Sequence, residues 1–532
     1  MIDPAYYTPE LRNLENFGKS FDELTELGAE DLFSFIKYDG RKRAYIHINH
    51  PDADSIGSSV HLAFLFQMKN VPYSIDSHNS SYKLTFSASR PPLSEIKSNL
   101  ERDIKVLYVV TDCTPYSLFW EDVEKIYEQS KAKEYFHILV MDHHSFIGRE
   151  EARGARSGEE KGLLTYINFG HSSNANVWWK RPNIPCAGEI TFNIVSNILD
   201  KLNESSVDVL KHFLIPTLFA TYTDFRTPQF LASIEDEKIR KVLENYNNVR
   251  TIKEYQGFVT CFEDFIDIFN GAIRYAGLKV GEEQRTYSLT ENQKIHCPTH
   301  KLIKSAAANV MLASKIANPL VLTIYPKDLG YEDEDGYNLR EILHANSEWG
   351  KIKSIARNAF FYYSFDHYMP KRDRVLYFND TKSIIAILPK SQTKVYYKGS
   401  TIDLSKLLKY PPYIEYFFTG YYPIAESPQV KDSHLIIVGI ESSKDDDYAE
   451  FSFRSHTPSV PAGHFASQIA NRIRKELRCA SHHVFGGGHE GAAGLRIRQE
   501  TLDELKKNYD LENNYNLDIY TLINELVKNV RI

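Results

Sequence analysis

Apolar and polar positions follow different periods in different parts of the chain. Over residues 1–40, Leu11, Leu14, Phe17, Phe21, Leu24 and Leu27 recur every three or four positions, which predicts helices. From 41 to 230, apolar runs of strand length alternate with amphipathic stretches, the pattern of a mainly parallel sheet covered by helices. Arg43–Asn49, Lys105–Asp112 and His137–Met141 are the clearest strands; the second is apolar throughout, as suits a strand covered on both faces. Helices are expected over about Ile56–Lys69, from Cys186 onward, and over Leu214–Asp224. Residues 231–380 are helix-rich at first and then carry apolar runs such as Asn318–Tyr325. Ser383–Pro389 and His434–Ile440 read as strands within 381–500, and 501–532, with Leu502, Leu505, Ile519, Leu522 and Leu526, reads as helices. The expected fold class is α/β, with a mainly parallel-sheet domain and a smaller α/β domain after it.

The candidate chemistry lies where strands end. His50-Pro51-Asp52-Ala53-Asp54 follows the first strand, and in an extended loop alternate residues point the same way, so His50, Asp52 and Asp54 would share one side. Pro51 and Gly57 suit a turn there. Asp112 closes the second strand, Asp142-His143-His144 the third, and Asp224 the Leu214–Asp224 stretch. Carboxylates and imidazoles on rigid strand ends suit divalent cations. One aspartate after a strand is also an ordinary turn or helix cap; the repeated placement is what argues for a shared site. Glu189, near the start of the helix after Cys186, reads either as a hydrogen-bond support for a ligand histidine or as a first-turn carboxylate facing the helix dipole.

Composition narrows the class. With 532 residues the chain is long enough for two or more domains with sizeable cores. No apolar run approaches the roughly 20 residues needed to cross a bilayer. The Met1-Ile2-Asp3-Pro4 start carries neither a basic nor an apolar signal region, so a cytoplasmic protein with no membrane partner is expected. Five scattered cysteines suggest neither a disulfide framework nor a zinc ribbon, and His296-Cys297-Pro298-Thr299-His300 reads as a loop. The net charge of -7 weighs against a broad grip on long nucleic acid, which rests on lysine and arginine, while leaving room for a local basic pocket. Arg357–Tyr377 mixes aromatic with basic residues; it reads as a helix with an aromatic core face, the alternative being a surface that stacks bases.

Taken in order, His50-x-Asp52-x-Asp54, Asp112, Asp142-His143-His144 and Asp224 resemble the four motifs of the DHH phosphoesterase superfamily. That superfamily includes RecJ-type exonucleases, nanoRNA and 3'-phosphoadenosine 5'-phosphate phosphatases, cyclic-dinucleotide phosphodiesterases and family II inorganic pyrophosphatases. Downstream, Phe451-Ser452-Phe453-Arg454-Ser455 and Gly486-Gly487-Gly488-His489-Glu490-Gly491-Ala492-Ala493-Gly494 resemble the Arg-Ser strand and glycine loop of its C-terminal substrate-binding domain, which speaks against a pyrophosphatase. The resemblance implies a helical extension at 1–40, a DHH catalytic domain at 41–230, a connector with an inserted subdomain at 231–380, a DHH-associated domain at 381–500 and a helical segment at 501–532.

It also implies roles. One metal would be held by His50, Asp52 and Asp112, and a second by Asp54, Asp112, His143 and Asp224; manganese suits this donor set best and magnesium next. His144 would contact a phosphoryl oxygen or the leaving group, and Asp142 would hold its histidine neighbours. Arg454, Ser455, Gly486, Gly487, Gly488 and His489 would bind substrate phosphate. Two departures stand out. Many members place the first histidine four residues before the first motif aspartate, where this chain has Ile48 between His47 and His50, so both histidines stay in play. The usual Thr-Asp-Thr-Gly is Thr223-Asp224-Phe225-Arg226 here, and Arg226 becomes a candidate substrate contact. The implied activity is manganese-dependent hydrolysis of short oligonucleotides or linear dinucleotides. A RecJ-like 5'-3' exonuclease on single-stranded DNA, a nucleotide-bisphosphate phosphatase, a cyclic-dinucleotide phosphodiesterase and a non-enzymatic nucleotide binder are the alternatives, and a homodimer is compatible with each.

Overall fold

A computed structural model describes residues 19–48, 53–76, 91–113, 117–144, 149–168, 185–223, 226–235, 374–388, 394–397, 400–403, 433–441, 448–455, 462–480, 483–488, 492–509 and 518–530, with short pieces elsewhere. They fall into two units, one over Tyr7–Ala175 and Pro182–Trp349, the other chiefly over Gly350–Ile532.

The first unit is built on five parallel strands: β1 (Lys42–Ile48), β2 (Tyr73–Asp76), β3 (Lys105–Thr111), β4 (Phe136–Asp142) and β5 (Leu164–Asn168). Their order is β2-β1-β3-β4-β5, so the chain turns to one side after β1 and continues on the other side from β3 onward. In open parallel sheets such a reversal opens a crevice at the carboxyl ends of the strands, where ligands bind. The register sets Ile48, Thr111, Met141 and Ile167 in one row across four strands. Asp112 and Asp142 therefore leave the sheet side by side. β3 is buried from Val106 to its end, as its unbroken apolar run requires of a strand covered twice.

Both faces are covered. Helix α1 (Phe21–Lys37) starts with a capping box, in which Ser20 Oγ accepts from the Glu23 amide while Glu23 accepts from the Ser20 amide. It shares one face with α2 (Ala53–Met68), α6 (Ala187–Lys201) and α7 (Val207–Thr223), and the short α8 (Thr227–Ser233) follows α7. On the other face, α3 (Leu93–Glu101), α4 (Ser117–Tyr127) and α5 (Arg149–Glu160) enclose Tyr45, Tyr108, Val110, Phe119, Trp120 and Val140.

Helix α2 begins at Ala53, earlier than expected, and this changes two readings. Asp54 lies in its first turn, not in an extended loop, so strand-like alternation cannot orient that carboxylate. Gly57 is helical too, and its role is close approach rather than turning: a Cβ there would lie 2.5 Å from the Pro216 carbonyl oxygen of α7. Gly188 in α6 is equally tight, with a Cβ position 2.2 Å from that of Ala220. Both glycines thus let α2 and α6 pack closely on α7. His61, fully buried in α2, has Nε2 2.7 Å from the Phe213 carbonyl and 3.0 Å from Thr217 Oγ1. Burial pushes its pKa down to about 4, opposed by the Phe213 carbonyl.

The second unit carries β6 (Val375–Phe378), β7 (Ser383–Leu388), β8 (Leu435–Ile440), β9 (Tyr448–Ser455), β10 (Val484–Gly488) and β11 (Ala492–Arg498) in the order β6-β7-β8-β9-β11-β10. Among the described residues only β7 and β8 pair in parallel within this sheet. Helices α9 (Ala462–Leu477), α10 (Gln499–Asn508) and α11 (Asp518–Lys528) complete the core, where Ile437, Phe453, Ile469, Leu495, Leu502 and Ile523 pack together. The final helices therefore belong to this core, and its sheet opens at Val375, before residue 381. The aromatic-rich stretch expected as a helix is helical at Asn358 and carries strand pieces further on, at Phe365–Asp366, Met369–Pro370 and Val375–Phe378, while Phe360–Tyr363 lie outside the described residues. Val375–Phe378, rich in aromatic and β-branched residues that favour a pleated surface, pairs with β7, and the two shorter pieces pair with each other. Among the described residues no helix is long and apolar enough to cross a membrane. Residues 1–18 and 296–300 lie outside the described residues.

Candidate metal centre

Asp112, His143 and His144 each offer a ligand atom within 4.8 Å of the others, at the carboxyl ends of β3 and β4. Asp112 leaves β3 with φ +52°, a left-handed conformation that costs an L-residue about 1–2 kcal/mol and that aspartate tolerates better than most. Its amide donates to the Met141 carbonyl at 2.9 Å, which ties the bend to β4. Backbone strain at a residue with buried charge is typical of a functional position.

His143 sits between two carboxylates. Its Nε2 is 3.1 Å from Asp112 Oδ1 and 3.3 Å from Asp54 Oδ2, and all three side chains are nearly inaccessible. Asp54 is held from behind by α6, whose first-turn amides donate to it, Ala187 to Oδ2 at 2.9 Å and Gly188 to Oδ1 at 2.8 Å. A helix N-terminus favours negative charge there, so the dipole of α6 and the two bonds fix this carboxylate in one orientation.

Asp142 is fully buried and serves as a hub. Its Oδ1 accepts from the amides of His143 (2.8 Å) and His144 (3.2 Å) and contacts His144 Nδ1 at 2.7 Å. Its Oδ2 accepts from Asn168 Nδ2 at 3.2 Å. A carboxylate only accepts, so His144 carries its hydrogen on Nδ1 and keeps Nε2 for other work. The His144 side chain is 23 % exposed, against 3 % for His143, and is the member of the pair that solvent reaches.

The donor set fits a divalent cation. Asp54, Asp112 and Asp142 gather three carboxylates in a buried space with two imidazoles, an excess of negative charge that a cation would offset. Of the expected ligands, the structure brings together Asp54, Asp112 and His143; His50, Asp52 and Asp224 lie outside the described residues. His47, the alternative to His50, is fully buried in β1 with Nδ1 2.9 Å from the Tyr108 hydroxyl. Arg226, expected at the substrate, grips Glu189 with Nε and Nη2, each at 2.9 Å. Asn168 was legible as another polar residue closing an apolar run, Leu164–Asn168. The α6 amides had no sequence signal, because they act through backbone.

In the second unit, Arg454 and Ser455 end β9 and the three glycines end β10, so these glycines are strand rather than loop. The register aligns Gly488 and Phe453 with Ala493 between them, which puts Arg454 at the same end of the sheet. Gly486 packs on α9, where a Cβ would lie 2.1 Å from the Ala466 carbonyl oxygen. His489 lies outside the described residues.

No family model and no curated protein matches the chain. Among solved structures it is similar to RecJ from Thermus thermophilus in complex with Mn2+, with TM-score 0.43 and 12% identity, over 98% of this chain and 56% of that one. The chain thus spans little more than half of that protein's length. It is also similar to CDC45 from Entamoeba histolytica, with TM-score 0.40 and 11% identity over 95% and 99% of the two chains. An exopolyphosphatase-related protein from Bacteroides fragilis gives TM-score 0.36 and 11% identity over 94% and 97%.

Proposed function

We propose that this chain is a metal-dependent phosphoesterase of the DHH kind, acting in the cytoplasm on short oligonucleotides or linear dinucleotides. The observation that carries the reading is His143 held between Asp54 and Asp112 at the point where the strand order reverses, with His144 beside it on Asp142. Asp54, Asp112 and His143 would hold a divalent cation, manganese before magnesium, with His50, Asp52 and Asp224 assigned to the same centre by the motif resemblance. A cation held there would acidify a bound water for attack on phosphorus and offset charge on the phosphoryl oxygens. His144 donates from Nδ1 to Asp142, which fixes its ring; only with a second proton on Nε2, as an imidazolium, would it donate from Nε2 to a phosphoryl oxygen or give that proton to the leaving group. Asp142 and Asn168 orient that imidazole and do not touch substrate.

Substrate choice is assigned to Arg454, Ser455, Gly486, Gly487, Gly488 and His489. Among the described residues β10 is an edge strand of its sheet, so part of its backbone faces away from β11, and glycines let an anion come close to it. The net charge of -7 favours short substrates over long nucleic acid. The test is a manganese-supplemented assay on di- to pentanucleotides, long single strands, cyclic dinucleotides and nucleotide bisphosphates. Mononucleotide release from the short linear substrates is expected. Cleavage of long single strands alone, from the 5' end and falling steeply with salt, would assign a RecJ-like exonuclease instead. Undiminished activity in Asp112→Ala would refute the metal chemistry altogether.

A further inference from the structure

Beside the site, outside the expected metal-ligand set, Glu189 and Arg226 form an ion pair. Both nitrogen–oxygen contacts measure 2.9 Å in a two-pronged geometry, and the side chains are only 9 % and 12 % exposed. Arginine's planar fork matches a carboxylate at both oxygens, so the pair fixes orientation as well as distance. Each partner is anchored in turn. Glu189 Oε2 also accepts from the Cys186 amide at 2.9 Å, closing the first turn of α6. The Arg226 amide donates to the Thr221 carbonyl at 2.8 Å, and Arg226 caps α8 just after α7 ends. That turn of α6 is the one whose Ala187 and Gly188 amides grip both oxygens of Asp54.

We infer that Glu189 and Arg226 form a positioning strut for Asp54: the pair locks the first turn of α6 against the end of α7, and that turn aims the Asp54 carboxylate toward His143. Arg226 is then a positioning residue and makes no substrate contact. Glu189 supports a ligand carboxylate through backbone amides rather than a ligand histidine through its own side chain. The tight seat of Gly188 on Ala220 fits this role, because it leaves the turn no slack once the ion pair is closed. The inference rests on the reading of Asp54 as a metal ligand.

The test measures Mn2+ affinity by calorimetry on the metal-free, full-length protein, for the wild type, Glu189→Gln, Arg226→Gln, the double variant and Asp54→Asn, with circular dichroism to check folding. Removal of a group that orients a ligand typically lowers metal affinity about 10–100-fold. Each single substitution is expected to weaken Mn2+ binding by roughly tenfold. The double variant should bind no more weakly than the poorer single variant, and KM at saturating Mn2+ should stay unchanged. Arg226→Lys, which keeps the charge but not the fork, should fall between wild type and Arg226→Gln, and it serves as the test variant if the glutamine form does not fold. Wild-type Mn2+ affinity in the single variants overturns the strut even if they melt earlier, since the pair is then only structural. A raised KM confined to Arg226→Gln, with additive effects, overturns it in favour of a substrate contact. If the wild type binds no Mn2+, or Asp54→Asn binds as tightly as wild type, the metal reading itself fails and the strut with it.

Discussion

Replacing Asp142 with alanine should cost the first unit about 2–4 kcal/mol, whereas asparagine should cost about 1. The difference follows from what the carboxylate holds. Fully buried, it accepts from the His143 and His144 amides and Asn168 Nδ2 and contacts His144 Nδ1. Asp142→Ala removes all four acceptor sites at once. The His144 ring is 23 % exposed and can turn to water, but the His143 amide and the Asn168 side chain are buried. Each buried donor left without an acceptor costs about 1–3 kcal/mol, so two give roughly 2–6. Water entering the vacated space, and the loss of repulsion from Asp54 and Asp112, bring the figure into the lower half of that range. Asparagine keeps the shape and one acceptor oxygen for the histidine side. The Asn168 amide can rotate to offer its carbonyl to the new NH2 group, so the net becomes neutral rather than broken. Urea denaturation followed by circular dichroism at neutral pH measures both variants. An Asp142→Ala protein within about 0.5 kcal/mol of wild type, or an asparagine variant as unstable as the alanine one, would refute this account of the hub.

Asn168→Ala loses one of those bonds and should reduce turnover less than Asp142→Asn, with Mn2+ affinity unchanged; equal kinetic losses would show that Asn168 does more than brace Asp142. His61 makes the first unit acid-sensitive. With its folded pKa lowered to about 4 from 6.5, its contribution is fully present above pH 6.5 and is lost as pH falls toward 4. At about 1.36 kcal/mol per pH unit the loss is roughly 2 kcal/mol by pH 5, and urea midpoints at pH 7 and 5 should show it in the wild type but not in His61→Gln. Gly188→Ala should destabilise the helix layer by about 1–3 kcal/mol, because the new Cβ would lie 2.2 Å from that of Ala220. Combining it with Ala220→Gly should recover part of the loss in the same denaturation assay, and no recovery would place the strain elsewhere.

Much of the architecture follows from local pattern. The unbroken apolar run of Lys105–Thr111 could only be a strand covered on both sides, and it is buried accordingly. The repeated placement of aspartates after such runs pointed to one end of one sheet, and parallel register puts them there. Helix onset was less legible. Asp54 looks the same in sequence whether it lies in an extended loop or in the first turn of a helix, since an acidic residue suits both. The aromatic stretch before residue 381 was legible only in part: Asn358 is helical, while Val375–Phe378 forms a short hairpin with Ser383–Ala386, which its aromatic and β-branched residues suit better than a helix.

By itself the sequence determined the donor types, their order and the α/β class, because these depend on side-chain chemistry and on periods of two and 3.6 residues. Tertiary structure alone decided which groups share a hydrogen bond. Residues 54, 112 and 143 meet because β1 and β3 flank the point where strand order reverses, and because α6 brings two backbone amides onto Asp54 from 133 and 134 positions along the chain. Arg226 shows the difference most plainly. As a residue it is a cation beside a motif aspartate; folded, it is closed onto Glu189, since a guanidinium largely removed from water must be met by a carboxylate.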